Sequence, residues 1–266
     1  MRKQQLYKGE PLVYEIRGAG LPVMLVHGFT EDRRIWYPLL KGMEEKYQWI
    51  LPDLPGSGES AFNHSFATLT HFSDALNAIL EAEKINEIVL IGHSMGGYIS
   101  LAFAEKYPEK TKGLGLFHSS AYPDSEEKKE SRNKNIRFIQ KNEPSFFVEQ
   151  AIPGLFSERF KAEQPEEIRQ LIDRYANFSR ESLVLYLEAM RNRPATTEVL
   201  KSISQPVLFI MGEEDKAVPI KDSLEQCHLP RISYIHILTH AAHMGMIENS
   251  FLCNSFVDQF LSAFSV

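Results

Sequence analysis

Ser94 stands between Gly92 and Gly96 in the stretch Ile91-Gly92-His93-Ser94-Met95-Gly96-Gly97, a G-x-S-x-G pattern. Residues 88–91 before it are apolar and mostly β-branched, as in a buried strand. Residues 98–107 after it are good helix formers up to Pro108. A serine at such a junction is forced onto a sharp turn that exposes its hydroxyl. Its flanking glycines are needed because side chains there would meet the neighbouring strand and helix. This context separates Ser94 from a serine that only caps a helix. The chemistry on offer is nucleophilic attack on a carbonyl. A free hydroxyl is a poor nucleophile, so it needs a histidine base and an acid that orients the base.

In open α/β sheets such partners gather beyond the C-terminal ends of later strands. Glu213, Glu214 and Asp215 follow a predicted strand over 206–211, and His240 and His243 follow another over 232–238. Asp124, beyond a predicted strand over 113–117, is a further candidate acid. The order serine, acid, histidine is the one such a site uses. Charge developing on the attacked oxygen needs fixed donors, and the backbone N–H of Met95 at the helix N-terminus suits that role. Packing and pocket-lining roles suffice for His93 and His118. His27 is expected to brace its own loop, and Asp53 to stabilise the turn after its strand.

The elements that must position these groups alternate in type. Strands are predicted over 12–16, 23–26, 48–51, 88–91, 113–117, 206–211 and 232–238. Helices are predicted over 35–47, 68–83, 98–107, 220–226 and 246–264. This alternation implies the α/β class, with a mostly parallel central sheet and helices on both faces. The pattern breaks near Ala121, and the next stretch is charged, helix-like and poor in strands. The expected organisation is a core of residues 1–121 and 205–266 interrupted by a helical insertion, residues 122–204. Phe146, Phe147, Phe156, Phe160, Tyr175, Phe178, Tyr186 and Met190 of the insertion are expected mainly to form its own core, with some lining a pocket beneath it. Its acidic and basic residues balance, so surface pairing is the default for its arginines.

Composition excludes several function classes. The formal charge of −6 and the lack of a basic run argue against a nucleic-acid surface. No apolar stretch is long enough to span a bilayer, and the first residues lack the apolar core of a signal peptide. Cys227 and Cys253 make no metal or redox spacing and read as buried, reduced thiols of a cytoplasmic protein. No metal cluster or nucleotide loop is expected, since Gly56-Ser57-Gly58 lacks the lysine and helix context of a phosphate loop. The partner implied is a small-molecule substrate, and no cofactor is called for.

The chain resembles the α/β-hydrolase family nearly end to end. The resemblance rests on His27-Gly28-Phe29, Asp53-Leu54-Pro55-Gly56-Ser57-Gly58, Gly92-His93-Ser94-Met95-Gly96, Gly212-Glu213-Glu214-Asp215, and His243 ahead of Glu248-Asn249. It implies a Ser94–His243–Asp215 triad under a helical cap, with the Phe29 N–H as second oxyanion donor. It favours Asp215, three residues beyond the strand-ending glycine, over Glu213, Glu214 and Asp124, and His243 over His240. The activity it implies is that of a carboxylesterase acting on small to medium apolar acyl esters. Carbon–carbon bond hydrolysis or lyase chemistry is the alternative, as in the menaquinone-pathway group that His27-Gly28-Phe29-Thr30 and Ser94-Met95-Gly96-Gly97 resemble. That group has arginine at the next position, where this chain has Tyr98. A ligand receptor with low turnover is the non-enzyme alternative. Family members with an aspartate nucleophile are set aside by Ser94.

Overall fold

A computed structural model describes residues 1–62 and 68–264. Among these residues eight strands form one sheet: β1 (Arg2–Tyr7), β2 (Glu10–Arg17), β3 (Pro22–Val26), β4 (Gln48–Pro52), β5 (Ile88–His93), β6 (Thr111–Phe117), β7 (Val207–Gly212) and β8 (Ser233–Leu238). Their order is β1-β2-β4-β3-β5-β6-β7-β8. The β1–β2 and β2–β4 pairs are antiparallel, and every pair from β4 through β8 is parallel. The central strands β5 and β7 are buried at every position, as expected where helices cover both faces. Alternate residues serve opposite faces: Met24, Leu90 and Phe209 enter one apolar cluster, while Leu25, Val89 and Leu208 enter the other. The edge strand β1 was not apparent from the sequence, because its half-exposed polar residues carry no apolar alternation.

The helices are α1 (Tyr37–Leu40), α2 (Leu69–Glu83) and α3 (Met95–Lys106), then six between β6 and β7. Those six are α4 (Glu126–Lys141), α5 (Pro144–Ala151), α6 (Glu158–Glu163), α7 (Pro165–Tyr175), α8 (Arg180–Arg191) and α9 (Thr197–Ser202). Ser125, Ser157 and Ser179 cap α4, α6 and α8 by accepting a backbone N–H, which fixes where each begins. The chain ends with α10 (Ile220–Gln226), α11 (Gly245–Glu248) and α12 (Ser250–Ser262).

Two predicted helices differ from what forms. The long helix expected over 35–47 is a 3-10 turn (Arg33–Trp36) followed by the single turn α1. Pro38 has no N–H to extend a ladder, and Gly42 at φ +85° turns the chain away. The helix expected over 246–264 breaks at Asn249, whose backbone is non-helical (φ −149°, ψ 62°) and whose side-chain Oδ1 caps α12 by accepting the Leu252 N–H. No helix among the described residues is long and apolar enough to cross a membrane. Cys227 and Cys253 are free and buried.

Candidate active site

The end of β5 carries Ser94 at φ 50°, ψ −116°, a backbone conformation that non-glycine residues rarely adopt. The turn is over-determined by its surroundings. The Ser94 N–H donates to the Phe117 carbonyl at 2.9 Å, and the Ser94 carbonyl accepts from Ser119 Oγ at 2.8 Å and from the Gly97 N–H at 3.0 Å. A Cβ on Gly92 would overlap the Gly96 carbonyl, and one on Gly96 would overlap the Val26 carbonyl of β3. The two glycines thus let strand and helix close tightly enough to push Ser94 out. The Ser94 side chain lines a cavity of about 470 Å³ together with Phe29, Tyr98, Met190, Val218 and His243.

Asp215 and His243 meet beside this cavity. Asp215 lies three residues beyond β7, and its Oδ1 accepts the backbone N–H groups of Ala217 and Val218, each at 2.8 Å. Its Oδ2 is 2.7 Å from His243 Nδ1. Burial opposes ionisation of this carboxyl, but the His243 and His118 imidazoles beside it hold it well below the usual carboxylate range. An ionised Asp215 fixes the proton of His243 on Nδ1, which leaves Nε2 as a proton acceptor. The backbone of His243 is held as well, its N–H donating to the Leu155 carbonyl at 2.9 Å.

His118 is more than pocket lining. Its Nδ1 lies 3.2 Å from Asp215 Oδ2 and 3.2 Å from the Gly212 N–H, and one nitrogen serves only one of them as donor or acceptor. Donation to the carboxylate is the stronger bond, so we assign the proton to Nδ1. Burial pushes the His118 pKa down to about 4, so the ring is neutral at pH 7. His118, Asp215 and His243 also offer potential metal-ligating atoms within 4.8 Å of one another, but Asp215 Oδ2 is already engaged by both imidazoles.

His93 likewise does more than pack. Its Nδ1 faces both oxygens of Glu31, at 2.9 and 3.0 Å, and its Nε2 is 2.9 Å from the His243 carbonyl. Both ring nitrogens face acceptors, so both donate, and the ring is an imidazolium. Burial opposes that charge, yet the neighbouring Glu31 carboxylate raises the His93 pKa. Burial also opposes the Glu31 charge, but His93 and the Gly28 N–H at 2.6 Å lower its pKa. A buried ion pair therefore links the Gly28-Phe29 loop to the backbone of His243. Glu31 was not singled out in the sequence; the acid two residues after His27-Gly28-Phe29 was the available signal, and it reads as an ordinary loop residue.

Phe29 lines the cavity together with Ser94, and Met95 opens α3 directly after Ser94. Among the described residues, no protein acceptor takes the N–H of either. His27 accepts the Leu54 N–H at 3.0 Å through Nε2 and faces the Gly28 carbonyl at 2.9 Å through Nδ1, which ties this loop to the turn after β4. Asp53 holds the same turn, accepting the Arg33 and Glu59 N–H groups at 2.9 Å each.

The rival residues lie elsewhere. Asp124 is buried against Arg132 and Arg193, and exposed His240 lies 3.9 Å from Glu214. Of the eight apolar insertion residues singled out above, Met190 lines the cavity; Phe147 and Tyr186 instead pack against the Phe29 ring, 5.8 and 6.3 Å between centroids. Phe146 is exposed, and Phe156 stacks on Phe160.

A strained serine at a strand–helix elbow after β5, with an aspartate–histidine pair from the loops after β7 and β8, defines the hydrolase class built on this sheet. Residues 22–250 match the family model described as the alpha/beta hydrolase fold, and the chain belongs to that family. It is 30% identical to a thermophilic esterase from Thermogutta terrifontis solved with malate bound. The two superpose with a TM-score of 0.92 over 99% of this chain and 98% of that one. Lipase 1 of Psychrobacter immobilis is 29% identical over 262 residues, 91% of this chain and 78% of the lipase. A biotin-biosynthesis bifunctional protein of Cellvibrio japonicus is 26% identical over 230 residues, and the match spans only 43% of that protein.

Proposed function

We propose that this chain is a serine carboxylesterase in which Ser94 is the nucleophile, His243 the base and Asp215 the orienting acid. The observation that carries the reading is the 2.7 Å contact between His243 Nδ1 and Asp215 Oδ2 beside a cavity that Ser94 and His243 share. His243 Nε2 takes the Ser94 proton as the oxygen attacks the ester carbonyl, and then gives it to the departing alcohol. The Phe29 and Met95 N–H groups hold the oxyanion of each tetrahedral intermediate; one such donor is worth about 3–4 kcal/mol. A water deprotonated by His243 then releases the acid from Ser94. The helical insertion, residues 122–204, serves as the cap that closes the cavity and selects the substrate. Similarity to an esterase and a lipase supports ester hydrolysis over the carbon–carbon alternative. So does Tyr98: the guanidinium over its ring belongs to Arg193, which is engaged by Asp124 and the Tyr122 carbonyl.

The test is labelling by a fluorophosphonate probe together with hydrolysis of short p-nitrophenyl esters. Ser94→Ala should abolish labelling and lower turnover on the order of a million-fold while leaving the fold intact. Wild-type protein that neither labels nor cleaves any ester across a broad acyl-length panel would rule the esterase reading out.

A further inference from the structure

The cavity over Ser94 carries an excess of positive charge that ester hydrolysis by itself does not require. Lys128 and Arg132, both from α4, and Lys216, from the loop after β7, line it together with Asp222. Glu31 also reaches it, but its charge is matched by the His93 imidazolium. The charge of Arg132 is only partly compensated. Its Nε and Nη2 bond Asp124, yet the same carboxylate also takes Nη1 of Arg193 at 2.6 Å. Two guanidinium groups on one carboxylate leave one positive charge over. Lys128 Nζ is anchored at 2.7 Å by a neutral partner, the Ala217 carbonyl, which keeps its full charge and leaves it further N–H donors. Among the described residues Lys216 reaches only Glu158, at 4.0 Å, and that carboxylate is already held by Lys161 at 2.6 Å. Lys128, Lys216 and the Arg132–Arg193–Asp124 group thus bring three net positive charges, against Asp222 and the ionised Asp215 behind His243. This is the reverse of the chain as a whole, whose formal charge is −6.

We infer that this wall is an anion subsite and that the substrate is an ester bearing a carboxylate remote from the scissile bond, such as the half-ester of a dicarboxylic acid. Lys128 and Arg132 are four residues apart on α4, so they present donors on one helix face. Arg132 Nη1 is bonded to no acceptor among the described residues, and Lys128 Nζ retains free N–H groups. One planar carboxylate, an oxygen to each, matches that pair. The other end of the substrate then lies at Ser94 in the same cavity, whose lining also includes Phe29, Met190 and Val218. The inference rests on the serine esterase reading and adds to it the charge of the substrate.

The experiment compares three methyl esters of matched length with purified full-chain protein: methyl hexanoate, monomethyl adipate, and a methyl ester ending in a trimethylammonium group. Expected is a kcat/KM for monomethyl adipate at least tenfold above methyl hexanoate, with the cationic ester poorest. The preference for the half-ester should shrink severalfold between 50 and 500 mM salt, because screening weakens charge–charge attraction. Lys128→Met, which releases only a backbone carbonyl, should cut the half-ester to neutral-ester ratio about tenfold, mainly through KM. Arg132→Gln should cut it further, and if that variant fails to fold, Lys128→Met still decides. Equal rates on the neutral and anionic esters, or a ratio that Lys128→Met leaves unmoved, would overturn the subsite while the esterase stands. Failure to cleave all three, with no fluorophosphonate labelling, would overturn the esterase reading itself.

Discussion

At the scale of residues, the least anticipated feature is the ion pair of Glu31 and His93. Three buried contacts run from the Gly28 N–H through Glu31 and the His93 ring to the His243 carbonyl. His93 is therefore a positioning residue: it touches the backbone of the proposed base and ties it to the loop that carries Phe29. The pair also gives stability a pH dependence. The Glu31 pKa is lowered from an ordinary value of 4.5, so its contribution is present above pH 4.5 and is lost as pH falls through the lowered folded value. The His93 pKa is raised from 6.5, so its contribution is full below pH 6.5 and is lost as pH rises through the folded value. Both contributions are complete together between pH 4.5 and 6.5. Glu31→Gln should then cost about 3 kcal/mol in urea denaturation at pH 6 and distinctly less at pH 9. The same variant should lower kcat roughly 10–100-fold with little change in KM, because the base is held less accurately. Equal destabilisation at the two pH values would mean that Glu31 only fills space.

At the scale of elements, legibility followed the strength of local signals. The buried strands β3, β5, β6 and β7 are apolar runs punctuated by polar loops, and each formed where the sequence placed it. Ser94 and Asp215 of the candidate site were legible for the same reason, since they lie just past β5 and β7, whereas His243 follows the more exposed β8. Missed features have short or polar signals. β1 gains its place by pairing with β2 and not from its own pattern. Asn249 reads as a helix residue by periodicity, yet its capping bond wins. Glu31 could not be placed because its partner His93 is 62 positions away, and only the β3–β5 pairing brings the two together. The elbow itself yields a sharp prediction. Gly96→Ala drives a Cβ into the Val26 and His27 carbonyls of a central strand end, which have no room to move. It should cost 3 kcal/mol or more or prevent soluble expression. Gly154→Ala, with nothing near its added Cβ, should stay within about 0.5 kcal/mol of the parent in the same denaturation assay.

At the scale of the molecule, the insertion between β6 and β7 is continuous with the rest in its packing although it is separate in its topology. One apolar cluster joins Phe147, Leu183, Tyr186, Leu187 and Met190 of the insertion to Leu76, Leu90 and Phe103 around the sheet. The other joins Val148, Phe156 and Leu171 to Trp36, Leu208 and Phe260. Fully buried Tyr186 stitches the two parts, with its hydroxyl donating to the Pro55 carbonyl at 2.8 Å and its ring 5.4 Å from Phe72. Side chains shared this way cannot be exposed by unfolding one part without exposing the apolar surface of the other, at about 25 cal/mol for each Å². The chain should accordingly unfold as one cooperative unit. The two tryptophans, Trp36 and Trp49, both lie outside residues 122–204, whereas far-UV circular dichroism also reads the helices of the insertion, which hold about half of the helical residues. Thermal midpoints from fluorescence and circular dichroism should coincide, with equal van't Hoff and calorimetric enthalpies. Tyr186→Ala should lower both midpoints together, costing roughly 3–5 kcal/mol. A dichroism midpoint several degrees below the fluorescence midpoint would show instead that the insertion melts by itself. The insertion would then open by local unfolding, and the cavity that Ser94 lines would be an equilibrium among states.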